Sequence, residues 1–113
     1  MSSENRVPEN PLEFIQRCVR SQAVYWTYHV NMRLSQKSIA RRQIVDSVET
    51  YQIIESYPDD KYLPSYLIHA TWDQTIIHIL FAVDVANTNV RIVTAYHPYP
   101  KEWEPGFMRR KEP

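Results

Sequence analysis

Thr75-Ile76-Ile77-His78-Ile79-Leu80-Phe81-Ala82-Val83-Asp84-Val85 is the most continuous apolar run in the chain, and its reading decides the fold. It is too short to cross a bilayer, which takes roughly 20 apolar residues. It is also rich in β-branched and aromatic side chains, which fit a pleated strand. Apolar residues at both odd and even positions predict a strand buried on both faces, at the centre of a sheet. Asp73-Gln74 just before it makes a tight reversal back to Ser65–Trp72 (SYLIHATW), a second strand. Ala86-Asn87-Thr88-Asn89 just after it turns the chain into Val90–His97 (VRIVTAYH), because Asn tolerates the left-handed region. Further upstream Tyr51–Tyr57 alternates as a strand should and is ended by Pro58-Asp59-Asp60, a turn composition.

Loop lengths set a register. A two-residue loop at Asp73-Gln74 pairs Trp72 with Thr75 and places His69 opposite His78. A four-residue loop at Ala86–Asn89 pairs Val85 with Val90 and places His97 opposite His78. One face then carries a row of three imidazoles with Thr71, Asp84 and Arg91, alongside Leu67, Leu80 and Val93. The other face reads Ile68, Ile77, Ile79, Phe81, Val83 and Ile92 and is the better partner for helices. The histidine-bearing face is expected to stand open to a ligand; the alternative is a cover made by the tail aromatics Trp103 and Phe107. Adjacent imidazoles can bind metal, but no acidic or histidine residue at helical i+4 spacing supports a metal site. No metal or other cofactor is expected.

The helices come first in the chain. Asn10 reads as an N-cap, with Pro11 at the first helical position, Glu13 at capping-box spacing, and Leu12, Ile15, Cys18, Val19 and Gln22 in helical period. Helix one is predicted from Pro11 to Gln22. Ala23–Tyr28 is aromatic and β-branched and predicts a short extended piece. In Tyr28–Ile39, His29, Arg33 and Lys37 recur at i, i+4 and i+8 and form a polar stripe, while Val30 and Leu34 anchor the neighbouring stripe to the core. Ser38 is expected to cap a third helix, Ile39–Glu49, with Ala40, Ile44, Val45 and Val48 inward. Arg41 and Arg42 in its first turn run against the helix dipole. The tail from Pro98 is too proline-rich for a strand; Trp103 and Phe107 are expected to clip it to the body and leave Arg109-Arg110-Lys111 exposed. The fold class is α+β, with N-terminal helices packed on one face of an antiparallel β-meander sheet. Residues 1–10 are read as a flexible lead-in and 11–113 as a single domain.

Composition narrows the function classes. Thirteen basic and thirteen acidic side chains give zero net charge, so any contact with nucleic acid needs a local patch. Gly106 is the only glycine, which excludes glycine-rich phosphate loops and dinucleotide fingerprints. A lone Cys18 excludes an internal disulfide. Met1–Asn5 lacks the pattern of a signal peptide, and no run is long enough for a membrane helix, so a cytoplasmic protein with no membrane contact is expected.

Several motifs, in order, resemble the prokaryotic domain-of-unknown-function family 4258. They are Thr27-Tyr28-His29 with Arg33-Leu34 and Lys37-Ser38-Ile39, then Glu55-Ser56-Tyr57-Pro58-Asp59-Asp60, then Pro64-Ser65-Tyr66-Leu67 and His78. Thr94-Ala95-Tyr96-His97-Pro98-Tyr99-Pro100-Lys101-Glu102-Trp103 and a final basic triplet close the pattern. Ser38 stands where the family pattern has glycine. The resemblance implies a RelE/ParE/BrnT-like toxin fold and a toxin of a toxin–antitoxin pair, acting as a metal-independent endoribonuclease. On that implication His29 is the acid or base and Arg33 the phosphate clamp, since an imidazole titrates near neutrality and a guanidinium binds phosphate bidentately. His78 and Tyr96 support them, and Lys37, Arg41, Arg42, Arg109, Arg110 and Lys111 contact RNA. The implied partners are RNA, a small zinc-finger or helix-turn-helix antitoxin, and a second copy in a homodimer. Two alternatives share the fold. One is a non-catalytic protein-binding module that accepts a strand on the edge of Tyr51–Tyr57 or Val90–His97. The other is a ParE-like toxin that binds a protein target.

Overall fold

A computed structural model describes residues 6–112. Helix α1 spans Pro11–Arg20, capped by Asn10, whose side chain accepts the Glu13 N–H at 3.1 Å. Strand β1 (Val24–Tyr25) is followed by α2 (Tyr28–Gln36), capped by the Thr27 hydroxyl, which accepts the Val30 N–H at 3.0 Å. Helix α3 is short (Arg41–Asp46) and continues as a 3-10 turn over Val48–Thr50. Four strands complete the domain: β2 (Gln52–Tyr57), β3 (Ser65–Trp72), β4 (Thr75–Asp84) and β5 (Asn89–Tyr96). Of the lead-in, residues 1–5 lie outside the described residues; Arg6 donates to the Asp60 carbonyl at 3.1 Å, and Pro8 is buried.

The five strands form one sheet in the order β1-β5-β4-β3-β2. The quoted run is therefore the middle strand. The sheet is mixed, not a pure meander: β1 pairs parallel to β5 through Val24–Val90 and Tyr25–Arg91. The edge of β5 is thus partly occupied by the two-residue β1, and β2 forms the other edge of the sheet. Ile68, Ala70, Ile77, Ile79, Phe81, Val83, Val90 and Ile92 fill the core face against Phe14, Ile15, Cys18 and Val19 of α1, Val30 and Leu34 of α2 and Ile44 of α3. Ala40 is exposed instead of inward, because it precedes α3 and its N–H is capped by the Gln43 side chain at 2.6 Å.

Asp73-Gln74 is the two-residue loop expected, with φ of 46° and 68°, so both residues sit in the left-handed region as a primed turn requires. Trp72 pairs with Thr75 and His69 with His78. The second turn differs from expectation. Asp84 pairs with Asn89, because the Asp84 carboxylate holds the turn by accepting the Asn87 N–H at 3.2 Å and the Asn87 amide at 3.0 Å. A bulge then inserts Val93 into β5, and His78 faces Tyr96 instead of His97. The row of imidazoles holds two members, not three.

Ser38 does not cap α3; it ends α2. Its φ is 57°, its N–H bonds to Ser35 O at 3.2 Å, and the Ile39 N–H bonds to Leu34 O at 2.9 Å. This is a Schellman closure with the left-handed residue at C′, and Leu34 and Ile39 are buried as its apolar pair. A side chain in that conformation costs about 1–2 kcal/mol that glycine does not pay. Ser38 is exposed, and its side chain makes no hydrogen bond among the described residues. Ser38→Gly is expected to stabilise the fold by about 1 kcal/mol after the added freedom of the unfolded chain is subtracted. Thermal melting by circular dichroism should show a midpoint higher by roughly 4 °C; an unchanged or lower midpoint would contradict a strained C′ residue.

Candidate functional site

The histidine face is not open. After β5 the chain turns at Tyr99, whose carbonyl accepts the N–H groups of Glu102 and Trp103 at 2.9 and 3.1 Å. It then runs as a small hairpin in which Trp103 bridges Arg110, with Gly106 (φ 92°) and Phe107 (φ 61°) at the bend. This hairpin lies across His69 and His78. Trp103, only 1% exposed, sets its ring edge-on to His78 at 4.4 Å between centroids. The Arg110 guanidinium stacks over the same indole at 4.6 Å. Arg110 also grips Glu55 of β2 through two bonds of 2.6 and 3.2 Å, and Tyr57 donates to the same carboxylate. Of the two arrangements expected for this face, the tail cover is the one observed, because burying a large indole outweighs leaving a polar sheet face wet.

His78 is fully buried, with both ring nitrogens occupied. Nε2–H donates to the Phe107 carbonyl at 2.7 Å, and Nδ1 lies 3.3 Å from the Tyr96 hydroxyl, the donor in this pair. Burial pushes its pKa down to about 4, against the pull of the Phe107 carbonyl that favours the proton. His69 donates Nε2–H to the Gly106 carbonyl at 2.9 Å, while its Nδ1 is buried without a partner. Because the fold holds His78 neutral, the unfolded chain takes up the proton first as pH falls. The stability it contributes is complete above about pH 6.5 and is lost on the way down to about pH 4. The loss is on the order of 3 kcal/mol. Urea midpoints measured at pH 7.5 and pH 4.5 should differ in that direction; equal midpoints would contradict a buried neutral imidazole.

The uncovered chemistry lies beside this cover. Val30 and Leu34 are buried and turn the flank bearing His29, Arg33 and Lys37 outward; all three are exposed. Lys37, at the C-terminal end of α2, brings its ammonium to 5.9 Å from the Tyr96 ring centre. Around that contact is a cleft of about 420 Å³ lined by Gln36, Lys37, Tyr96, His97, Tyr99 and Glu102. It joins the end of α2, the end of β5 and the tail turn. Tyr96 serves both places, with its ring in the cleft and its hydroxyl on His78. Desolvation raises the pKa of that phenol.

Of the side chains expected to act, Lys37 and Tyr96 come together here. Arg33 and His29 lie one and two turns back, roughly 6 and 12 Å along the axis. His78 is walled off from solvent. Arg110 is spent on Glu55 and Trp103, while Arg109 and Lys111 point outward on the tail. Arg41 stacks on Trp26 at 4.7 Å and donates Nε–H to Asn31 at 2.9 Å. Arg42 lies 5.8 Å from the Trp72 ring centre and 3.9 Å from Asp46. Both sit on the α3 side, apart from the cleft.

Sequence reasoning missed His97, Tyr99, Glu102 and Gln36 as neighbours of Lys37. It also missed a charge pattern that was there to be counted. From Phe14 to Val45 the chain has six Arg and Lys and no Asp or Glu, whereas Asp46 to Asn89 has seven Asp and Glu and one Lys. Zero net charge therefore conceals a cationic helical layer. No helix among the described residues is long and apolar enough to cross a membrane. A family model described as "Domain of unknown function (DUF4258)" matches residues 26–97, from the start of the helical stripe to the cleft histidine. Comparison with curated proteins and with solved structures gave no match.

Proposed function

The chain belongs to the DUF4258 family, and from that premise we propose that it is a RelE-like toxin that cleaves RNA without a metal, in the cleft between α2 and the tail turn. The observation that carries this reading is the convergence of an ammonium, an imidazole and two phenol rings in one uncovered cleft, at the end of a cationic helical stripe. His97 takes the proton from a ribose 2′-OH. The freed oxygen attacks the phosphorus and the bond to the 5′ oxygen breaks, leaving a 2′,3′-cyclic phosphate. Lys37 steadies the phosphate oxygens and gives the departing 5′ oxygen its proton. Tyr96 and Tyr99 offer ring faces for bases, a contact that tolerates any sequence. Arg33 and His29 follow the phosphates one and two turns further on.

In this reading the protein works in the cytoplasm beside an antitoxin of the zinc-finger or helix-turn-helix kind. The β2 edge of the sheet supports the binding-module alternative, because the outward backbone groups of an edge strand suit an added strand. Inducing the protein in cells and following both growth and RNA integrity separates the readings. Growth arrest with RNA breakdown supports the nuclease. Growth arrest with intact RNA favours a protein target, and no effect on either favours the binding module. His29→Ala and His97→Ala, induced side by side, decide which imidazole moves the proton.

A further inference from the structure

We propose that residues 99–111 form a latch that closes on His69 and His78 and is opened by acid through His78, and that opening it dismantles the cleft. The functional meaning rests on the reading above; the latch itself does not. It is held by consecutive carbonyls: Gly106 accepts from His69 and Phe107 accepts from His78, at 2.9 and 2.7 Å. The two rings are 5.9 Å apart between centroids, and Trp103 lies edge-on to His78.

A proton added to the His78 ring has nowhere favourable to go. It lands on Nδ1, where the Tyr96 hydroxyl must give up its own donation and turn around. The charged groups facing the pair decide the balance. From β2, Glu55 is the carboxylate that acts on His78, and it is already committed to Arg110 and Tyr57. From the tail, Arg110 adds a like charge. From β5, Tyr96 is neutral and has Lys37 of α2 over its far side. An imidazolium at His78 would thus share a dry site with a guanidinium and one engaged carboxylate. Lifting the hairpin returns both rings to water.

The hairpin carries part of the cleft with it. Glu102 and Tyr99 belong to the tail, and the Glu102 carbonyl accepts the Lys111 N–H at 3.0 Å inside the hairpin. Tyr96 links the two, since its ring lines the cleft and its hydroxyl bonds to His78. Acid therefore removes the cleft wall while the helix–sheet core, on the opposite face, stays packed.

Hydrogen exchange of the intact protein at pH 7.5 and pH 5, corrected for the intrinsic rate, tests this directly. The amides of Glu104 and Lys111, bonded to the Arg109 and Glu102 carbonyls, report the hairpin. Those of Ile79 and Phe81 report the core. Uptake of one proton on opening increases the open population about tenfold per pH unit below the ordinary histidine range. The expected result is tail protection at least tenfold weaker at pH 5 than at pH 7.5, with the core amides, which exchange only on global unfolding, better protected than the tail at both pH values. His78→Gln keeps a donor for the Phe107 carbonyl but cannot titrate, and should make the loss shallower. Unchanged tail protection, or tail and core amides sharing one protection factor at pH 5, would overturn the latch. Neither readout involves RNA, so failure here leaves the nuclease reading standing, and the reverse.

Discussion

Cutting the chain after Pro100 is expected to bring the protein close to unfolding at physiological temperature. The cut removes Trp103, buried to 1% exposure, together with the two carbonyls that accept from His69 and His78. It also removes Arg110, the partner of Glu55. Losing a buried tryptophan alone costs about 3–5 kcal/mol, against a total of roughly 5–15 kcal/mol for a domain of ordinary stability. The single substitution Trp103→Ala should therefore lower the melting midpoint by at least about 10 °C. Arg110→Ala should cost less, near 1 kcal/mol, because its side chain is half exposed and its pairing is partly screened. Thermal melts followed by circular dichroism rank the three proteins. If the truncated chain melts with the parent, the cover contributes nothing to the fold.

His97→Ala and Lys37→Ala are expected to lower RNA cleavage by about 10²–10⁴, the range for removing a proton-transfer group. Both side chains are accessible in the cleft and neither is part of the buried core, so the variants should fold. His29→Ala should have a smaller effect, of a few fold, as the loss of one distant phosphate contact. Rates on a short single-stranded RNA with purified protein, with circular dichroism to confirm folding, give the comparison. If His29→Ala alone abolishes cleavage, the reacting phosphate sits over the first turn of α2 and not in the cleft.

The architecture was largely legible because its signals are local. Asn10 and Pro11 announce α1, Asp73-Gln74 fixes the first hairpin, and the apolar run of β4 names the centre of the sheet. Three features needed information that no window of sequence holds. The Val93 bulge slips the register by one residue, and nothing in VRIVTAYH marks which residue is extra. The parallel pairing of Val24–Tyr25 with Val90–Arg91 joins distant segments through two residues each. The tail cover was foreseen in its anchors, Trp103 and Phe107, and its landing on the histidine face only as the alternative. That landing depends on His69 and His78 donating to two tail carbonyls, a pairing made only when the chain folds back. The cleft was hidden for the same reason: Lys37, His97 and Glu102 become neighbours only after the tail folds back. The stripe on α2 was readable outright, since Val30 and Leu34 left one orientation for the helix.

The parallel edge strand carries a consequence for the order in which the molecule is made. Val24 finds its partner only when Val90 has been synthesised. Helices α1 and α2 therefore leave the ribosome with no sheet to receive their apolar flanks, and at about ten residues each they are too short to persist alone. The β3–β4 hairpin is the most local sheet element available, and the N-terminal layer can dock only on a nearly finished sheet. Folding thus waits for the C-terminal third of the chain, and β1 joins late. Substitutions in Val24 or Tyr25 should accordingly speed unfolding and leave the folding rate almost untouched, whereas those at the β3–β4 pairing slow folding itself.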